Sequence, residues 1–68
     1  MTINEKVLQV LDWFEVDACI EEGDFEGIMI AVRKFDAMAN NSDKYNELAR
    51  IRFMIERDRL SEIANNIE

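Results

Sequence analysis

Histidine and proline are absent from these 68 residues, cysteine occurs once, and glycine twice. With Cys19 alone no internal disulfide can form, and without histidine a single thiol cannot build a tetrahedral zinc site. A chain this short buries a limited core and usually needs a disulfide, a metal or a partner to hold it. With the first two excluded, close helix packing or self-association remains. There is no glycine-rich phosphate loop, and no nucleophile–base pair can be assembled without histidine or an obvious lysine site. No apolar run approaches the roughly 20 residues that span a bilayer. The start, Met1 to Glu5, has neither the basic residues nor the apolar stretch of a signal peptide, so a reduced, cytoplasmic setting is expected.

What the chain does hold is apolar and acidic. Hydrophobic residues make up 49%, enough to argue against disorder despite 34% charged residues. The net charge of −7 is unevenly spread. Residues 1–32 carry eight acids (Glu5, Asp12, Glu15, Asp17, Glu21, Glu22, Asp24, Glu26) against Lys6 alone, whereas residues 33–68 carry seven acids and seven bases. Binding to nucleic acid relies on Lys and Arg neutralising phosphates, which the first half would oppose. Only Arg50, Arg52, Arg57 and Arg59 offer a basic strip.

Three helical stretches follow from the spacing of apolar residues, making a single domain over 1–68. The first runs from about Ile3 to Glu22. Thr2 and Glu5 have the spacing of a capping box, Ile3, Val7, Val10, Leu11, Phe14 and Ala18 make one face, and Gly23 ends it. The second runs from about Phe25 to Ala39 behind Asp24 as N-cap, with Phe25, Ile28, Val32, Phe35 and Ala39 on its face. Asn40, Asn41 and Ser42 make a turn. The third runs from about Asp43 to Asn66 with Ser42 as N-cap. Tyr45, Leu48, Ile51 and Ile55 mark one of its faces, and Ala49, Phe53, Leu60, Ile63 and Ile67 a neighbouring one. Glu56-Arg57-Asp58-Arg59 interrupts both. Strand signals are missing. Two short turns predict an all-α, small antiparallel three-helix bundle with a long third helix.

The candidate functional residues lie on a second apolar stripe. At 100° per residue, Trp13, Val16 and Ile20 fall opposite Val7, Leu11 and Phe14, and Ile30 falls opposite Ile28 and Val32. Either the first helix is sandwiched between the other two, or this stripe meets another chain. Trp is enriched at binding hot spots, and Asp12, Glu15 and Asp17 flank the stripe as a polar rim. The arginines share no clean face, and acids interleave with them, as helical ion pairs would. Carboxylate pairs such as Asp12/Glu15 suit a solvated face better than acid–base catalysis, which needs a cleft. The acids from Asp17 to Glu26 lack the spacing and central glycine of a calcium loop. Cys19, at the edge of the apolar face, fits a small buried hydrophobe better than a reactive thiol.

Two resemblances add to this. Gly23-Asp24-Phe25-Glu26-Gly27-Ile28 resembles the inter-helix turn of tetratricopeptide repeats, but Ile28, Val32 and Phe35 depart from that family's pattern. The length, the acidity and the opening Met1-Thr2-Ile3-Asn4-Glu5-Lys6-Val7-Leu8 resemble the small helical protein encoded beside the UvsW recombination helicase of T4-like phages. That second resemblance implies an accessory role near phage recombination, replication and repair, and transfers no site residue.

The expectation is therefore a non-enzymatic protein–protein interaction module without metal or cofactor, docking through Trp13, Val16, Ile20 and Ile30. The alternatives are a nucleic-acid accessory protein using Arg50, Arg52, Arg57 and Arg59, and a self-associating helical protein.

Overall fold

A computed structural model describes residues 2–67. Among them the chain forms four α-helices and no strand: α1 (Ile3–Trp13), α2 (Val16–Glu22), α3 (Phe25–Ala39) and α4 (Glu47–Asn65). The fold is all-helical as the periodicity predicts, but the count of three helices is corrected to four. The expected first helix breaks at Phe14 and Glu15. Glu15 takes the left-handed conformation (φ 50°, ψ 45°), a cost of about 1–2 kcal/mol for a residue other than glycine. Few hydrogen bonds are lost there. The Phe14 amide still donates to Val10 O (3.2 Å), and α2 begins with the Cys19 amide donating to Glu15 O (3.0 Å). The bend also turns Val16 into the core, where it is 1% exposed, and that burial offsets the strain.

The caps around α1 and α3 stand where expected. The Glu5 amide donates to Thr2 Oγ1 (3.1 Å), one half of a capping box. Gly23 closes α2 at φ 68°, a conformation that glycine adopts without steric cost. Asp24 Oδ1 accepts from the Gly27 amide (3.1 Å) and starts α3. The beginning of the last helix is corrected from Asp43 to Glu47. Asn46, not Ser42, is the N-cap, its Oδ1 accepting from the Ala49 amide (2.9 Å). Residues 41–45 instead fold back on Asn41, whose Oδ1 accepts from the Lys44 amide (3.2 Å) and whose carbonyl accepts from the Tyr45 amide (3.1 Å). This turn places the Tyr45 ring edge-on against Phe53, with centroids 4.9 Å apart.

The main packing is α3 on α4. The two run antiparallel: Phe35 meets Phe53, while Gly23, just ahead of the α3 N-cap, lies beside Ile67 beyond the end of α4. Ile28, Ala31, Val32, Phe35, Met38 and Ala39 form the buried stripe of α3, and Ala49, Phe53, Leu60 and Ala64 that of α4. Val7, Val10 and Val16 close the core from α1 and α2. Several residues expected inside are outside. Ala18 is exposed, Phe25 at the first position of α3 is 43% exposed, and Leu48, Ile51 and Ile55 face away from α3.

Gly27 has a role its place in a first turn does not announce. A Cβ there would lie 2.5 Å from Cys19 Sγ and 2.7 Å from Asp24 Oδ2, the carboxylate that caps the same helix. Helical Gly→Ala ordinarily stabilises by about 1 kcal/mol. Gly27→Ala is expected to destabilise instead, with the urea midpoint partly restored by adding Cys19→Ala. An unchanged or raised midpoint in the single variant would mean that α2 and α3 do not approach so closely.

Candidate interaction surfaces

The bend at Glu15 dissolves the second stripe expected on the first helix, because an angle projected at 100° per residue holds only along one unbroken helix. Val16 is buried in the core and Ile20 packs against it, so neither faces away. Trp13 (62% exposed) and Ile30 (46% exposed) remain outside, but as separate side chains on α1 and α3. Lys6 Nζ lies 5.6 Å from the centre of the Trp13 ring.

The continuous apolar surface is on α4. Leu48 (79% exposed), Ile51 and Ile55 (57% exposed) occupy two successive turns at the i, i+3 and i+7 spacing of a single face, and Met54 extends it at one edge. Two turns further on, the same face carries the exposed acids Asp58 and Glu62. The apolar stripe is thus confined to the N-terminal half of the helix.

The opposite side of α4 holds a buried charge. Glu56 is 4% exposed. Its Oε2 accepts from Arg52 Nη1 (2.9 Å), and its Oε1 accepts from Arg59 Nε (2.8 Å) and Nη2. Burial pushes the Glu56 carboxyl upward, and the Arg59 and Arg52 guanidiniums together outweigh it, holding the group below the ordinary carboxylate value. Arg57 Nη1 reaches across to Asp36 Oδ1 on α3 (2.8 Å) and Nη2 pairs with Asp58 (3.0 Å). Three of the four arginines considered for nucleic acid are therefore committed to carboxylates. The fourth, Arg50, has its Nε buried with no hydrogen-bond partner among the described residues. The Glu56 clamp was legible only as an interruption of the apolar pattern. Its i−4 and i+3 arginines were the signal that could have revealed it.

On the other side of the molecule, the bend leaves a groove of about 600 Å³ between α1 and α2, lined by Leu8, Leu11, Asp12, Glu15, Val16, Asp17 and Ala18. Cys19 on α2 has its Sγ 3.8 Å from Phe14 O and 3.9 Å from Asp24 Oδ2. Burial and the nearby charges of Asp24 and Glu22 push this thiol upward, away from the reactive thiolate. Among the described residues, no group of three or more acids and Cys19 converges as a metal site would require. No helix there is long and apolar enough to cross a membrane.

Compared with models of protein families, with curated proteins and with solved structures, the chain finds no match.

Proposed function

We propose that the chain is a non-enzymatic protein–protein interaction module that docks a partner through the outer face of α4. The observation that carries this is the exposure of Leu48, Ile51, Met54 and Ile55 together on one face of a helix whose other face is already buried. Single exposed apolar residues are ordinary, whereas a contiguous row of four over two turns is what a helix-binding partner covers. Asp58 and Glu62, exposed further along the same face, supply a polar rim. Trp13, placed at the centre of the docking surface by periodicity, becomes a peripheral contact in this proposal. The resemblance of the opening residues to the helicase-adjacent phage protein makes proteins of phage recombination, replication and repair the first partners to test.

The decisive variant is Ile51→Glu. A substitution at an exposed position shifts stability by about 0.5 kcal/mol or less, so the variant is expected to keep its helical circular dichroism and its urea midpoint. Its affinity for a partner captured by the parent chain, then purified and titrated in a calorimeter, is expected to fall about tenfold or more. Trp13→Ala serves as the control and should retain affinity. If Trp13→Ala abolishes binding and Ile51→Glu does not, the docking face lies on α1. If Ile51→Glu unfolds the chain, the stripe is core.

A further inference from the structure

We infer that the groove between α1 and α2 is a second docking site, and that its occupant is a basic amphipathic helix of another protein. The groove lies on the acidic half of the chain, shares no residue with the α4 stripe, and does not depend on it.

Its floor and walls are apolar. Leu8, Leu11 and Ala18 line it above the buried Val16, and Leu8 is 64% exposed, with none of the described segments covering it. Its rim is of one sign. Asp12, Glu15 and Asp17 stand around it, and none of the three takes part in an ion pair among the described residues. Lys6 is the only base in residues 1–32, and it points elsewhere, with Nζ over the Trp13 ring and 3.4 Å from Gln9 Oε1. A ligand that fits must bring apolar side chains for the groove and cations for the rim. Nucleic acid and anionic lipid bring neither the cations nor a favourable approach to this end of the molecule.

A helix with apolar residues at i, i+3/i+4 and i+7 and Lys or Arg on its flanks brings both. The groove is lined from α1 by Leu8, Leu11 and Asp12 and from the bend and α2 by residues 15–18, so a docked helix would meet both elements at the bend. Exposed ion pairs contribute little each. Affinity would therefore come from the apolar contact, while Asp12, Glu15 and Asp17 would set orientation and speed of encounter, helped by the net charge of −7.

The test uses synthetic peptides of about 14 residues, three to four turns, titrated by calorimetry into the full chain. One peptide is an amphipathic Leu/Lys helix, one has the same composition scrambled, and one is a Leu/Glu helix. The Leu/Lys helix is expected to bind one per chain, the scrambled peptide about tenfold more weakly, and the Leu/Glu helix not measurably. Leu8→Ser, and separately Asp12→Lys with Asp17→Lys, should each weaken binding about tenfold or more. Asp43→Lys with Glu62→Lys makes the same change in net charge away from the groove and should cost far less. Amide shifts in the parent chain should cluster at residues 8–18, a readout that survives if a variant fails to fold.

Equal loss in the two charge-reversal variants would mean attraction to the whole molecule and would overturn the site. So would equal binding of the scrambled peptide. Loss in Ile51→Glu with Leu8→Ser unaffected would move the peptide to α4, overturning this site while supporting the α4 surface. Concentration-dependent self-association lost in Leu8→Ser would make the occupant a second copy and overturn the basic helix of another protein as the occupant.

Discussion

Phe53→Ala is expected to leave little folded protein. Phe53 is fully buried, its ring 6.3 Å from that of Phe35 and edge-on to Tyr45 at 4.9 Å. It joins α4, α3 and the turn between them in one contact. Truncating a buried phenylalanine costs about 3–5 kcal/mol. At roughly 0.05–0.15 kcal/mol per residue, a chain of 68 residues has about 3–10 kcal/mol in total. The loss is thus of the same size as the whole. Urea titration followed by circular dichroism measures it, and a midpoint equal to that of the parent would mean that the α3–α4 face is not the core.

The second large effect is electrostatic and has a distinctive pH dependence. In the parent chain, Glu56 is held below its ordinary value by Arg59 and Arg52. A lowered folded-state value means that the clamp stabilises above the unfolded carboxylate pKa and stops doing so as pH falls through the lowered one. Removing both arginines, with Arg52→Ala and Arg59→Ala, leaves Glu56 buried and unpaired. Burial alone then raises its pKa above the unfolded value. At pH 7 the loss should be about 3 kcal/mol, the lower end for breaking a buried pair, since both arginine side chains are already partly exposed. The dependence on pH should also change sign at this site. Acidification weakens the parent chain here, but it relieves the double variant by protonating Glu56. Urea unfolding at neutral and acidic pH separates the two, with Glu56→Gln in the parent expected to remove the parent's own slope at this residue. Parallel pH profiles for parent and double variant would mean that Glu56 is solvated.

Much of the fold was legible in local chemistry. Thr2, Gly23, Asp24 and Asn40 stand at the boundaries where their side chains or backbone freedom place them. The α3 stripe from Ile28 to Ala39 follows from its spacing. Two things did not follow. Glu15 is neither glycine nor asparagine, so nothing in the residue itself signals a left-handed turn. The bend exists because Val16 gains burial from it, a tertiary cause invisible to periodicity. The other is the rotation of α4, which has two apolar faces. Leu48, Ile51 and Ile55 could equally have marked the inner one, except that continuing their row leads to two acids, Asp58 and Glu62, both exposed. The row through Ala49, Phe53, Leu60 and Ala64 meets a single charge, Glu56, and that charge has arginines on both sides. Of the expected docking residues, Trp13 and Ile30 stay at the surface, while Val16 and Ile20 turn inward. Periodicity marks Leu48, Ile51 and Ile55 as one of two neighbouring apolar faces of α4 and does not say which of the two is buried.

The bend at Glu15 also divides the molecule by permanence. A helix of seven residues such as α2 does not persist in water by itself and exists only while docked. Its hold on the rest is Val16, with Cys19 and Ile20 packed beside it. This corner is therefore the part of the fold that opens first and most often, ahead of the α3–α4 pair. Cys19 lies inside the hinge of that opening, wedged against Gly27, and it is the single thiol of the chain. Cys19 is half-buried while the corner is docked, so the pace at which an alkylating reagent reaches it sums its standing exposure and every lifting of the acidic corner, and the excess over the first part times the second.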